Sequence, residues 1–131
     1  MTVFKICGLR ETQPALAAAA AGCSFLGFVF VPGVARQVTQ KQALGIIEEV
    51  RRVRGQAAPF MVGLFANQSV ECVNRIIGIC DLDYAQLCGD EDPAYWKEID
   101  GRIIRQIKVD NSEVGLDKVI RETKEEVEQV L

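Results

Sequence analysis

Cys7, Arg36, Asn67, Gln68, Cys88, Asp90, Glu91, Lys108, Asp110 and Asn111 are the residues whose types could do chemistry, and they recur just past successive apolar runs. A thiol, a guanidinium and acids gathered at one mouth would form a small-molecule site. The chain has no histidine. Acid–base work therefore falls to carboxylates, thiols or lysine, and serine–histidine or cysteine–histidine triads are excluded within it. Cys7 is the sharpest candidate, because it ends the stretch Thr2-Val3-Phe4-Lys5-Ile6-Cys7 and is followed by Gly8. The plainer reading of such a thiol is a core residue, since cysteine is among the most buried types.

Those residues share a mouth only if the elements before them are parallel strands. Period-two alternation puts Val3, Lys5 and Cys7 on one face of a first strand and Phe4 and Ile6 on the other, which helices are expected to cover. Thr12 is a plausible cap for a short alanine-rich helix ending at Gly22. The run Ser24 to Phe30 is apolar almost throughout, as in a strand buried on both faces. A loop from Val31 to Val38 carries Arg36, after which Thr39 and Gln42 form a capping box for a helix reaching Gly55. Pro59 to Phe65, Asp83 to Leu87 and Arg102 to Val109 read as three more strands. Helices follow each, starting after Asn67-Gln68-Ser69, at Asp92-Pro93, and over the stripe Leu116, Val119, Ile120, Thr123, Val127 and Val130. Five strand–helix units of about 25 residues describe a parallel βαβ sheet in one domain. Two arrangements compete, a flavodoxin-like open sheet and part of a (βα)8 barrel, both with functional loops at the strand C-termini.

Composition narrows the function classes. The 131 residues are 49% apolar, with a net charge of -3 and a pI near 5.0. This describes a soluble, core-forming protein and argues against nucleic acid, which needs a clustered positive surface. The basic cluster Arg51-Arg52-Val53-Arg54 sits at a helix end, where cations complement the dipole. No apolar run approaches the roughly 20 residues of a membrane span and no signal-peptide pattern opens the chain, so a cytoplasmic location is expected. Five cysteines without a C-x-x-C pair fit a reducing compartment and define neither a disulfide framework nor a metal site. A phosphate-accepting receiver domain would need acids where Cys7-Gly8 and Phe65-Ala66 stand. No G-x-G-x-x-G or Walker-type loop follows the first strand.

Four motifs fall in order, one per strand end: Lys5-Ile6-Cys7-Gly8-Leu9, Gly27-Phe28-Val29-Phe30 with Arg36 after it, Val62-Gly63-Leu64-Phe65-Ala66-Asn67-Gln68-Ser69, and Gln86-Leu87-Cys88-Gly89-Asp90-Glu91. Together they resemble the phosphoribosylanthranilate isomerases, the TIM-barrel enzymes of tryptophan biosynthesis, over the whole chain. The resemblance implies a cofactor-free Amadori rearrangement of N-(5-phosphoribosyl)anthranilate, an aminoaldose, to the aminoketose. By position Cys7 would be the general base that removes the C2 proton, and Arg36 would hold the anthranilate end of the substrate. A free cysteine titrates near 8.5, so modest positive potential gives a useful thiolate fraction at neutral pH.

The sequence departs from that family at two points and in length. Cys88 stands where the family has histidine and is read as structural, and Val34-Ala35 replaces a serine-containing loop. A TIM barrel takes about 200 to 250 residues, whereas residues 1–131 carry five βα units. The family's general acid lies on the sixth strand and its phosphate loops follow the seventh and eighth. The expectation is thus one incomplete (βα)8-barrel domain, inactive alone, whose exposed edge strands favour a homodimer or higher oligomer. The rival expectation is a non-catalytic, self-associating half-barrel module.

Overall fold

The computed structural model describes residues 2–109 and 113–129. Five strands, β1 (Lys5–Ile6), β2 (Phe25–Val29), β3 (Phe60–Phe65), β4 (Tyr84–Leu87) and β5 (Arg102–Arg105), alternate with helices α1 (Thr12–Ala20), α2 (Gln40–Arg54), α3 (Val70–Cys80), α4 (Pro93–Trp96) and α5 (Glu113–Glu128). All neighbouring strands pair in parallel, in the order β1-β2-β3-β4-β5. A flavodoxin-like sheet would place the second strand outside the first. Sequential order is instead that of a partial barrel, a (βα)5 sheet.

The sheet's two faces differ in composition because side chains alternate along each strand. Leu26, Phe28, Met61, Phe65, Ala85 and Leu87 point to the face that α1, α2 and α3 cover, where they join Ala15, Ile47, Val50, Val73 and Cys80 in one core. The opposite, concave face carries Lys5, Phe25, Val62, Tyr84 and Gln86. Lys5 Nζ donates across it to Gln86 Oε1. A flat sheet would hold β1 and β4 about 14 Å apart, at about 4.8 Å per strand, so this bond requires a curled sheet.

Local signals place the helices. Thr39 accepts from Gln42 N while Gln42 Oε1 accepts from Thr39 N, completing the capping box. Ser69 caps α3 and Asp92 caps α4 through their side-chain oxygens. Arg51 is bound by Asp81 and Asp83, and Arg52 by Glu49, so these two cations of the basic cluster are engaged by acids.

Four expectations need correction. Glu11, not Thr12, occupies the cap position of α1, and it makes no side-chain cap bond. The fifth strand stops at Arg105 because β4 ends at its partner Leu87. Phe4 and Ile6 are not covered; they are 37% and 38% exposed, since β1 has a neighbouring strand on one side only. The stripe on α5 is incompletely covered too, with Leu116, Ile120 and Val127 exposed; Val130 lies outside the described residues.

Candidate functional site

Parallel strands bring their C-terminal ends to one rim, and the first two strands bring Cys7 and Arg36 together there. The backbone turns after β1 at Gly8, where φ is +77° and glycine adopts the left-handed region without a Cβ penalty. Gly27 O on β2 accepts from both Gly8 N at 3.0 Å and Leu9 N at 3.2 Å, fastening that turn. The loop after β2 folds back through Val38 N to Val29 O at 2.9 Å and through Gln37 Oε1, which accepts from Gly33 N at 3.0 Å. Arg10 Nη1 reaches Ala35 O at 3.3 Å. Held this way, Arg36 lays its guanidinium over Gly8 and donates from Nη1 to Cys7 O at 3.3 Å. Cys7 is a free, half-buried thiol and Arg36 is exposed. One corner of the rim therefore holds a half-buried thiol on the residue whose carbonyl binds a guanidinium, and that guanidinium retains donors for an anion.

The third and fourth strands build a different corner. Asn67 adopts φ +59°, which asparagine tolerates better than most residues, and its Oδ1 accepts from Asp90 N at 2.8 Å. Glu91 turns inward, 5% exposed, with one carboxylate oxygen accepting from Asn67 N and the other from Gly89 N, each at 2.9 Å. Trp96 Nε1 donates to Glu91 O at 3.0 Å. Gln68 bridges Ala66 N and Phe30 O, and Tyr95 donates its hydroxyl to Gln68 O at 2.8 Å. Burial, with the Glu91 carboxylate and Cys72 adding to it, pushes the Tyr95 hydroxyl up to about 12. Of the two acids expected at the mouth, Asp90 is exposed, whereas Glu91 is spent on backbone donors.

Cys88 lies between these corners. Gln86 Nε2 donates to its sulfur at 3.7 Å while Gln86 Oε1 accepts from Lys5. Burial pushes the Cys88 thiol up; Glu91 and Cys7 add to that, while the Gln86 hydrogen bond and Lys5 oppose it. Cys88 is a half-buried thiol whose sulfur also donates to Gln86 O at 3.9 Å. Lys108 is exposed beyond the end of β5, and Asp110 and Asn111 lie outside the described residues.

The sequence reading missed four participants. Lys5 was placed on the Cys7 face by alternation, but its partner Gln86 is 81 residues away, beyond any local signal. Arg105 donates to Gly89 O at 2.8 Å and lies over Trp96; only its place at a strand end marks it. Tyr95 and Trp96 follow the Asp92-Pro93 helix start and could have been noticed as polar-tipped aromatics near the rim. No group of three or more metal-binding side chains occurs among the described residues, and no helix among them is long and apolar enough to cross a membrane.

A sequential parallel sheet, helices on its convex face and polar groups gathered at the strand C-termini define a partial (βα) barrel, a class of fold whose sites lie on the C-terminal rim. The family model described as N-(5'phosphoribosyl)anthranilate (PRA) isomerase matches residues 4–131, and the chain belongs to that family. An N-(5'-phosphoribosyl)anthranilate isomerase of Dehalococcoides mccartyi is 42% identical over 109 residues, which cover 83% of this chain and 48% of that one. The phosphoribosyl anthranilate isomerase structure from Thermus thermophilus superposes with a TM-score of 0.76 at 32% identity, covering 83% of this chain and 53% of that chain. A further structure of this isomerase, in complex with reduced 1-(o-carboxyphenylamino)-1-deoxyribulose 5-phosphate, gives a TM-score of 0.81 at 26% identity, with 95% and 62% covered. The chain spans about half the length of the curated relatives it matches.

Proposed function

We propose that these residues carry the base and the carboxylate anchor of a phosphoribosylanthranilate isomerase, as the first five βα units of an incomplete barrel. The observation that carries this reading is the 3.3 Å hydrogen bond from Arg36 Nη1 to Cys7 O. It seats the guanidinium on the backbone of the residue that carries the thiol, so that a substrate with a carboxylate at one end and an acidic carbon–hydrogen bond near it can meet both.

In this reading Arg36 pairs with the anthranilate carboxylate, a geometry that suits a planar guanidinium. The Cys7 thiolate takes the proton from C2 of the ring-opened, N-protonated imine. The electron pair left behind forms a C1–C2 double bond, and the electrons of the C1=N bond move to nitrogen. Reprotonation at C1 and loss of the C2 hydroxyl proton give the aminoketose, with no net oxidation and no cofactor. A proton donor to the sugar and a grip on its phosphate come from the remaining three βα units, continuous with this stretch or supplied in trans. Without them turnover is negligible, because positioning and acid catalysis each contribute orders of magnitude.

Titrating reduced 1-(o-carboxyphenylamino)-1-deoxyribulose 5-phosphate, the ligand of the related structure, into this chain joined with those three units tests the reading. Binding should weaken at least about tenfold in Arg36→Ala, the loss of one charged contact; unchanged affinity would rule Arg36 out as the anchor.

The second reading, a self-associating half-barrel module, is favoured by the bare edges. Phe4 and Ile6 at β1, Phe60 on the concave face and Leu116, Ile120 and Val127 on α5 are all exposed, and exposed apolar groups of this kind can serve as association surfaces. A homodimer or higher oligomer would cover them. A light-scattering mass equal to one 14.4 kDa chain at micromolar concentration would exclude that association.

A further inference from the structure

We infer that Gly27 of β2 is the positioning residue for the Cys7 thiol, an empty slot on the neighbouring strand into which the sulfur is seated. This deepens the reading of Cys7 as base and rests on it. Register brings the two together: Lys5 pairs with Phe25 and Ile6 with Leu26, so Cys7 continues alongside Gly27, facing the concave side. A Cβ built on Gly27 would lie 2.8 Å from Cys7 Sγ and 3.3 Å from both Cys7 Cβ and Cα. The sulfur thus occupies the volume that any other residue's side chain would claim. The carbonyl of the same glycine accepts from Gly8 N and Leu9 N, fixing the backbone on which Cys7 stands. Gly27 therefore holds the thiol twice, through its missing side chain and through its oxygen.

The Cys7 backbone adds to the crowding through Cα at 3.3 Å, but the tightest contact is the sulfur at 2.8 Å. β2 is otherwise Phe25, Leu26, Phe28 and Val29, a buried apolar strand in which glycine costs stability by leaving nothing to pack. Gly63, on the next strand, differs. A Cβ there would meet Leu82 Cδ1 at 2.6 Å and the Phe65 ring at 2.8 Å, so its constraint comes from the helix-covered core and not from the rim. The two glycines separate a slot for a reactive group from ordinary core packing.

The test reads the thiol directly and needs no turnover, so it can fail while the isomerase reading stands, and the reverse. The chain is alkylated with iodoacetamide from pH 6 to pH 10, and each cysteine is quantified by peptide mass spectrometry, with half-buried Cys72 as the internal reference. Forcing the sulfur off its rotamer should change the Cys7-to-Cys72 rate ratio by about fivefold in Gly27→Ala, the size expected of a displaced χ1. Gly63→Ala, destabilised through the core, should leave that ratio within about twofold of the unaltered chain, a difference of less than half a kilocalorie. Equal ratios in the two variants overturn the inference. Thermal unfolding supplies a second arm. The destabilisation by Gly27→Ala should be at least halved in a Cys7→Ala background, where the sulfur no longer competes for the slot, and an undiminished effect also overturns it. If Gly27→Ala alone does not fold, recovery of folding in Cys7→Ala/Gly27→Ala supports the slot and failure to recover refutes it.

Discussion

The Cys7–Arg36 corner and the Asn67–Glu91 corner lie on one rim and contain similar residue types, yet their polar groups are used oppositely. Around Asn67 nearly every donor and acceptor is satisfied internally: Glu91 takes two backbone N–H groups, Gln68 takes one and gives one, and Tyr95 and Trp96 close on backbone carbonyls. Around Cys7 the turn is held by backbone bonds to Gly27 O and the following loop by single bonds of the Arg10, Gln37 and Arg36 side chains, which leaves guanidinium donors uncommitted. Arg36 spends one nitrogen on Cys7 O and stays exposed. A polar residue at a strand end is thus scaffold when its hydrogen-bonding capacity is used by its own loop, and a candidate for chemistry when it is not.

Stability measurements can break that comparison, and the largest effect is expected at Glu91. Glu91→Ala leaves the part-buried Asn67 and Gly89 amides without their carboxylate acceptor and should cost about 2 kcal/mol in urea unfolding, as charge-assisted bonds do; a cost under about 1 kcal/mol would mean that water replaces the carboxylate. Tyr95→Phe removes a single 2.8 Å bond to Gln68 O and should cost about 1 kcal/mol. At the other corner, Arg36→Ala, on an exposed side chain, should stay within about 0.5 kcal/mol of the unaltered chain, and Cys7→Ala, on a half-buried thiol, within about 1 kcal/mol.

A pH series sharpens the same contrast. Burial raises the Cys23, Cys80 and Cys88 thiols, and Tyr95 is raised to about 12. Each group holds its proton longer folded than unfolded. The resulting stabilisation is complete below the unfolded cysteine range, about 8.5, and is lost as pH rises through the folded values. Urea midpoints should therefore fall between pH 8 and pH 10. In Cys88→Ala the fall should be smaller, and an equal fall would show that Cys88 does not take part.

Much of this was legible in the sequence because the signals are local. The five strands, the capping box at Thr39 and Gln42, and the helix starts after Ser69 and at Asp92-Pro93 each depend on a few adjacent residues. Strand order was not legible, since apolar runs separated by helices fit both a flavodoxin-like sheet and a barrel segment until pairing is known. Exposure of Phe4 and Ile6 was hidden for a related reason: alternation assigns a side chain to a face, but not whether a helix lies over it. Among the rim residues, placement at a strand end gave Cys7 and Arg36 correctly to one mouth. It gave Glu91 the same status, because its inward turn depends on Asn67 adopting a left-handed backbone and on Gly89 offering its amide. The Lys5–Gln86 bond across the concave face was invisible, since it depends on how tightly the sheet curls.

The central claim is that the chemistry belongs to the corner with unused capacity. Its most direct test is turnover of N-(5'-phosphoribosyl)anthranilate by this chain joined with the remaining three βα units, comparing the unaltered sequence with Cys7→Ala. Loss of the base should lower kcat at least about a hundredfold with folding unchanged. Turnover that survives Cys7→Ala within a few-fold would contradict the account.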